Sequence, residues 1–336
     1  MRVIARAACV ALLLSAVTMP VSAGAHDEGV SPAIISARTI ANFRIGSPDT
    51  RFGALEFVGG LELTSTNRDF GGLSAFRFLD DGKSFLGITD TGFWYAGEME
   101  RDEQEQPADV TRFRLAPLQG EEGMRLEGKW NSDAEGLSVS GNKATISYER
   151  VHRIAEFDLD LENFASKPRL LPLLVPRNEL RSNRGIETIA QAPAASPLAG
   201  ARVAVTEKSL NTDGDMFAAV LEGPRKGVFF VKRIDNFDIS DGDFLPNGDL
   251  LILERRFSIA SGVALRIRRI DADAIKPDAT VSGPVIVDAD MRYQIDNMEA
   301  LDVWEAKDGS TRVSLVSDDN HSIIQRNLYL EFRLAE

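Results

Sequence analysis

Acidic side chains recur in this chain at places where they could act together. Asp90, Glu149, Glu207, Glu254 and Asp318 each close a short apolar, β-branched run. Three of them are followed at once by a cation, as Glu149-Arg150, Glu207-Lys208 and Glu254-Arg255. A second set, Glu135, Glu187, Asp243 and Glu299, stands at the start of the preceding run, with Gly71 in the same place in the first copy. Arg184 lies three residues before Glu187. Carboxylates crowded into one narrow mouth repel each other, so they either keep protons above their ordinary range or hold a cation. An all-oxygen donor set suits calcium or magnesium rather than zinc. Arg150, Lys208, Arg255 and Arg184 could then contact the oxygens of an anionic substrate. The plainer reading is architectural: one acid per repeat, bonded to the backbone of its neighbour.

Two histidines stand near these acids. His152 in "YERVHR" and His321 in "SDDNHS" each follow a run-ending acid by three residues. That places both in loops, as general acids or bases, metal ligands or solvated side chains. Asn211, Asp213 and Asp215 alternate like part of a calcium loop, but no closing Glu follows at the required spacing. The chain has no G-x-S-x-G elbow, phosphate-binding loop, H-E-x-x-H or dinucleotide fingerprint. A serine nucleophile is therefore not expected.

The acids belong to a unit that occurs five times, at 71–90, 133–150, 186–208, 242–255 and 298–319. Each unit reads strand, turn, strand. The turns Asp81-Gly82, Gly141-Asn142, Asn247-Gly248 and Asp308-Gly309 use residues that accept positive φ cheaply. The anchor positions are 64, 52, 56 and 56 residues apart. Strand–turn–strand units at about this period signal a β-propeller. A third strand follows at 152–160, 264–271 and 327–334, and a fourth at 169–175, 227–234 and 284–290. The fold expected is all-β, a propeller of five or six four-stranded blades. The last repeat stops after its third strand, so the early run 54–65 is expected to complete that blade and close the ring from both termini. Residues 33–52 are a candidate for part of a sixth blade.

Bulk properties narrow the setting. Arg2 and Arg6, an apolar run to Met19 and the small residues Ala23-Gly24-Ala25 read as a cleaved leader over 1–25, implying a periplasmic or secreted protein. The apolar run is too short to span a bilayer, and stable membrane insertion is not expected. Residues 26–40 are expected to be flexible, and 41–336 to form one domain. The only cysteine, Cys9, leaves with the leader, so neither a disulfide nor a thiolate site is expected. The net charge is −13, and losing Arg2 and Arg6 takes it to −15. Such a field repels nucleic acid and attracts cations. The partner expected is a small molecule, phosphorylated where a cation or local basic patch offsets the charge. The oligomeric state is not legible.

The stretches "GGLSAFRFLDDGKSFLGITDTG", "DAEGLSV", "SYERVHRI", "NRGIETIA", "RRFSIASGVALRIRRI", "DNMEALDVWE" and "LVSDDN" together resemble the bacterial phytase-like domain family, known for esterase-like activity, across about residues 50–334. The resemblance implies a propeller hydrolase of phosphate esters in which Ca2+ bridges carboxylates and substrate. Its contexts are kept at Glu135, Glu149, Glu187, Glu207, Glu254, Glu299 and Asp318. A carboxylic ester or lactone hydrolase on the same propeller, and a ligand- or protein-binding propeller without catalysis, are the alternatives.

Overall fold

The computed structural model describes residues 29–335, and the only α-helix among them is the single turn Lys129–Ser132. The leader expected over 1–25 lies outside these residues. Five sheets stand in a ring, antiparallel except where Phe230 and Val231 pair in parallel with Thr280 and Val281 at the edge of the third. Their inner strands are Leu73–Phe78, Ala134–Ser140, Ile186–Gln191, Asp238–Phe244 and Asn297–Glu305. Each inner strand touches the inner strand on either side, and the fifth touches the first, so the ring is closed.

The first three strands of each sheet run outward through consecutive hairpins, for example Ala134–Ser140, Lys143–Tyr148 and Arg153–Asp158 in blade 2, where Arg169–Leu171 adds the fourth strand. Five apolar clusters hold the ring, one at each blade-to-blade contact. Leu86 and Ile88 of blade 1, for instance, pack with Leu137 and Ile146 of blade 2. Leu251 and Leu253 of blade 4 pack in the same way with Leu301 and Leu315 of blade 5. Alternation along the strands supplies this pattern, since successive side chains face opposite sides of a sheet. Gly136 shows how closely the inner strands approach: a Cβ there would lie 2.5 Å from the carbonyl oxygen of Glu187.

The closure read from sequence is present. Leu55–Ser65 pairs antiparallel with Asn327–Leu334 and completes blade 5. Five blades are formed, not six. Ile35–Ile40 pairs with Leu55–Ser65 as a further strand of blade 5, and Ser31–Pro32 pairs with Leu115 and Arg114 of blade 1. Residues 31–40 are therefore bound into sheets rather than loose, because they cover strand edges that would otherwise be open. The segment 211–215 is a plain turn. Asn211 Oδ1 accepts from the amides of Asp213 and Asp215, and the Asp215 carboxylate pairs with Lys232 at 3.2 Å.

Candidate axial site

Every inner strand carries a register shift near its start, between Leu73 and Ala75, across Glu135, between Ile186 and Thr188, between Ile239 and Asp241, and between Met298 and Ala300. A bulge re-aims the extra side chain. The residues at this position are Ser74, Glu135, Glu187, Ser240 and Glu299. Just above it stand the ends of the second strands. Asp90, Glu149 and Glu207 donate their amides to Gly72, Asp133 and Gly185, while Arg255 and Asp318 pair with Asp238 and Asn297. The two tiers enclose a cavity of roughly 240 Å3 on the ring axis. Eight carboxylates line it: Asp90, Asp133, Glu135, Glu149, Glu187, Glu207, Glu299 and Asp318. The cations there are Lys129, Arg150 and Arg255, and the neutral lining is Ser74, Asn183, Asn297 and Asn320.

The charges inside are unevenly matched. Lys129 pairs with Asp90 and lies 3.7 Å from Asp133. The Arg150 Nε donates to Asp133 Oδ2 at 2.5 Å. Arg255 bonds Glu299 and Asn297 and lies 3.4 Å from Glu207. Asn297 also donates to Glu299 Oε1 at 2.7 Å, and the Gly185 amide donates to Glu149 Oε1. Three cations cannot neutralise eight acids in so small a space. Burial and mutual repulsion therefore push the carboxyls up: Glu149 to about 7, Glu299 to about 8 and Asp318 to about 6, with Glu135 and Glu187 well above the usual carboxylate range. Burial is the largest cause in each case. The backbone bond from Gly185 opposes it at Glu149, and Arg255 opposes it at Glu299.

The donor set fits a hard divalent cation. Oxygen atoms of Asp133, Glu135 and Glu149 lie within 4.8 Å of one another. Asp90 Oδ1 and Asp133 Oδ1 are buried without a hydrogen-bond partner. Gly72, at φ 64°, leaves the space for Asp90, since a Cβ there would sit 2.2 Å from that same Oδ1. These are oxygens with unmet capacity in an all-oxygen pocket, which is what calcium or magnesium requires.

Most of the acids expected at the mouth are there: Asp90, Glu135, Glu149, Glu187, Glu207, Glu299 and Asp318. Glu254 is not. It pairs with Ile239, one residue short of the Arg255–Asp238 pair, and a one-residue step turns a side chain to the other face. There it is fully buried between Arg266 at 2.5 Å and Arg268 at 2.6 Å. Arg255 takes the ring position instead. Asp243 is also elsewhere. Ser240 occupies the bulge, and Asp243 accepts the Val303 amide at 3.0 Å, in a deeper layer where Arg77 grips Asp241 at 2.9 and 3.1 Å. In blade 1 the bulge residue is Ser74 rather than Gly71.

Arg150 lines the mouth beside Glu149, although neighbours on a strand face opposite ways, because Arg150 has left the strand at φ 54°. Arg184 and Lys208 do not line it. Both pair with Asp238, at 3.4 and 2.8 Å, and Arg184 also reaches Glu207 at 3.5 Å. His152 is buried outside the lining, its ring against Gly185, and burial lowers its basicity. His321 is exposed on the blade 5 loop beside Gly71 and Gly72. Sequence reasoning missed Asp133 and Lys129. Asp133 could have been found as the cross-strand neighbour of Glu149. Lys129 comes from the loop between blades, and no local pattern marks it.

A closed five-bladed propeller with an oxygen-lined acidic mouth is the class that this fold and site define. The chain belongs to the Phytase-like family, described as esterase-like activity of phytase, whose sequence model matches residues 68–321. No curated protein matches the chain. Among solved structures it is similar to an endo-arabinase from Bacteroides thetaiotaomicron at 10% identity and a TM-score of 0.47, covering 78% of this chain and 94% of that one. It is also similar to a PQQ-bound aldose sugar dehydrogenase from Streptomyces coelicolor at 11% identity and a TM-score of 0.44, covering 90% and 99%. Similarity at this level carries nothing about substrate to this chain.

Proposed function

We propose that the protein is an exported, cation-assisted hydrolase of ester bonds, with phosphate esters as its substrates. The observation that supports this reading is the excess of carboxylates over cations in one small axial cavity, two of whose buried oxygens have no hydrogen-bond partner. Asp133, Glu135 and Glu149 would hold the cation, with Asp90 beside them. When bound, a calcium ion supplies positive charge that attracts the substrate phosphate and stabilises charge built up during hydrolysis.

The remaining work falls to side chains of the chain. Lys129 and Arg150 flank Asp133 and present positive charge to a substrate oxygen. Glu149, pushed to about 7 without a cation, would give up that proton on binding one and serve as a ligand. Arg255 is committed to Glu207 and Glu299 and acts by orienting them. Arg184 and Lys208, at the rim, bring anionic substrate toward the mouth. His321 stands at the blade 1 edge, where it can exchange a proton with a leaving group. Buried His152 packs behind Gly185, whose amide donates to the Glu149 carboxylate, and so positions that carboxylate rather than touching substrate.

The test is phosphate release from phytate and from 4-nitrophenyl phosphate, and nitrophenol release from 4-nitrophenyl acetate, in millimolar calcium and in excess chelator. Calcium-dependent release from the phosphate esters supports the proposal. Release from the acetate alone moves the assignment to carboxylic esters. No release from folded protein leaves a ligand-binding propeller. Export is tested by N-terminal sequencing of protein recovered from the periplasm or medium, with a start after Ala23 or Ala25 expected. Among the described residues no helix is long and apolar enough to cross a membrane.

A further inference from the structure

The two ends of the ring expose different side chains. The second strands end at the axial mouth, where Glu149, Arg255 and Asp318 line it. Just beyond them the chain carries Val151, the pair Phe257 and Ile259, and the pair Ile323 and Ile324, all exposed. Ile259 is 98% exposed and Ile324 85%. At about 3.3 Å per residue, the strand running on from Arg255 to Ser258 lifts the blade 4 tip roughly 10 Å above the mouth. Trp130 and Met291 stand at the same end, on the loops that enter blades 2 and 5. Met291 packs on the blade 4 tip, since a Cβ at Gly262 would lie 2.7 Å from its Cγ. Trp130 follows Lys129, which lines the mouth, and the guanidinium of Arg150, another lining residue, lies 5.9 Å from its ring centre. At the other end, the turns from first to second strands, at 79–83, 141–142, 192–201, 245–249 and 306–310, expose no large apolar side chain among the described residues.

Apolar tips this exposed are costly in water, and gathered at one end they mark a docking face. Their arrangement selects the partner. A stable protein interface needs a continuous, packed patch of about 800 Å2 on each side. Here the tips stand on separate loops around a cavity lined by eight carboxylates, which breaks any such patch. A fluid lipid surface takes up separate tips one by one, to a depth of about 5–10 Å. Charge agrees. Blade 3 has no apolar tip at this end, and there Arg177 and Arg181 are exposed without a carboxylate partner among the described residues. Both signs match a zwitterionic head group, the arginines its phosphate and the mouth carboxylates its ammonium. The net charge of −13 disfavours an anionic surface. We infer that the mouth end of the propeller docks on a zwitterionic phospholipid surface through Trp130, Phe257, Ile259, Ile323 and Ile324. The docking rests on these loops and not on the hydrolase reading.

The experiment is flotation of the purified protein with vesicles of phosphatidylcholine, and separately of phosphatidylglycerol, in excess chelator. Two double variants, Phe257→Ser with Ile259→Ser and Ile323→Ser with Ile324→Ser, are compared with Val285→Ser, an exposed residue at the far end of an outer strand. The wild type should float with phosphatidylcholine, each double variant should bind about tenfold more weakly, and Val285→Ser should bind as the wild type does. Trp94 and Trp304 are buried, so emission that shifts to the blue and is quenched by brominated phosphatidylcholine comes from Trp130 and should vanish in Trp130→Phe. No flotation, flotation confined to phosphatidylglycerol, or equal flotation of the wild type and both double variants overturns the proposal. A dimer in sedimentation velocity that the double variants dissociate, without vesicle binding, also overturns it and assigns the tips to a second copy of the chain. Circular dichroism confirms that the variants are folded.

Discussion

Raising the pH in the absence of divalent cations should destabilise this protein, and calcium should reverse the effect. Glu149 and Glu299 hold their protons to about 7 and about 8 in the folded state. In the unfolded chain both ionise near the ordinary value of about 4.3. The folded state thus binds more protons between these limits. The stability they contribute is fully present below about pH 4 and is lost as pH rises through about 7 and 8. Each tenfold difference in proton affinity between the two states is worth about 1.4 kcal/mol. The two groups share one cluster, so the loss is on the order of 3–5 kcal/mol for the set. For a chain of this length that is a fall in Tm of roughly 5–8 °C. Carboxyls held low by their partners, such as Glu156 and Asp249, are already ionised by about pH 5 and stay out of the window. His152 titrates inside it with the opposite sign, because its lowered basicity makes the folded state the poorer proton binder. The comparison is therefore repeated in His152→Asn. The assay is thermal unfolding followed by circular dichroism at about pH 5 and about pH 8, in chelator and in millimolar calcium. A cation competes with protons for these oxygens, so calcium should raise Tm much more at the higher pH. An equal Tm at both values in chelator, or an equal calcium effect at both, would refute the reasoning.

Four further outcomes separate site from scaffold. Glu149→Gln removes a charged cation ligand and should lower kcat/KM for a phosphate ester by about 100-fold at limiting calcium while the protein stays folded, read from initial rates. Glu254→Gln should do the reverse: it leaves Arg266 and Arg268 short of a buried partner, costs about 3–5 kcal/mol in urea unfolding, and spares the rate per folded molecule. Arg255→Met should raise the pH at which activity appears, because Glu207 and Glu299 lose the cation that favours their ionised forms, a change visible in the pH–rate profile. Deleting the chain before residue 66 removes Leu55–Ser65 from blade 5 and should abolish cooperative unfolding, seen as loss of a single calorimetric transition.

The repeats, their hairpin turns and the closing strand were legible in the sequence because strand alternation and turn chemistry are local. The acids were legible because they recur at the same place in each unit. Their direction was not. Glu254 and Arg255 are neighbours in sequence, and only the pairing of Arg255 with Asp238 decides that the arginine faces the axis and the acid the blade interior. The bulge that aims Glu135, Glu187 and Glu299 inward is likewise a property of two paired strands, not of one. Lys129 reaches Asp90 across 39 residues, and Arg255 reaches Glu207 across 48. The sequence by itself determined that carboxylates would repeat around a ring. Which of them meet, and which are neutralised on the way, depended on register and ring closure, since a period of two along a strand makes every facing hang on a shift of one residue.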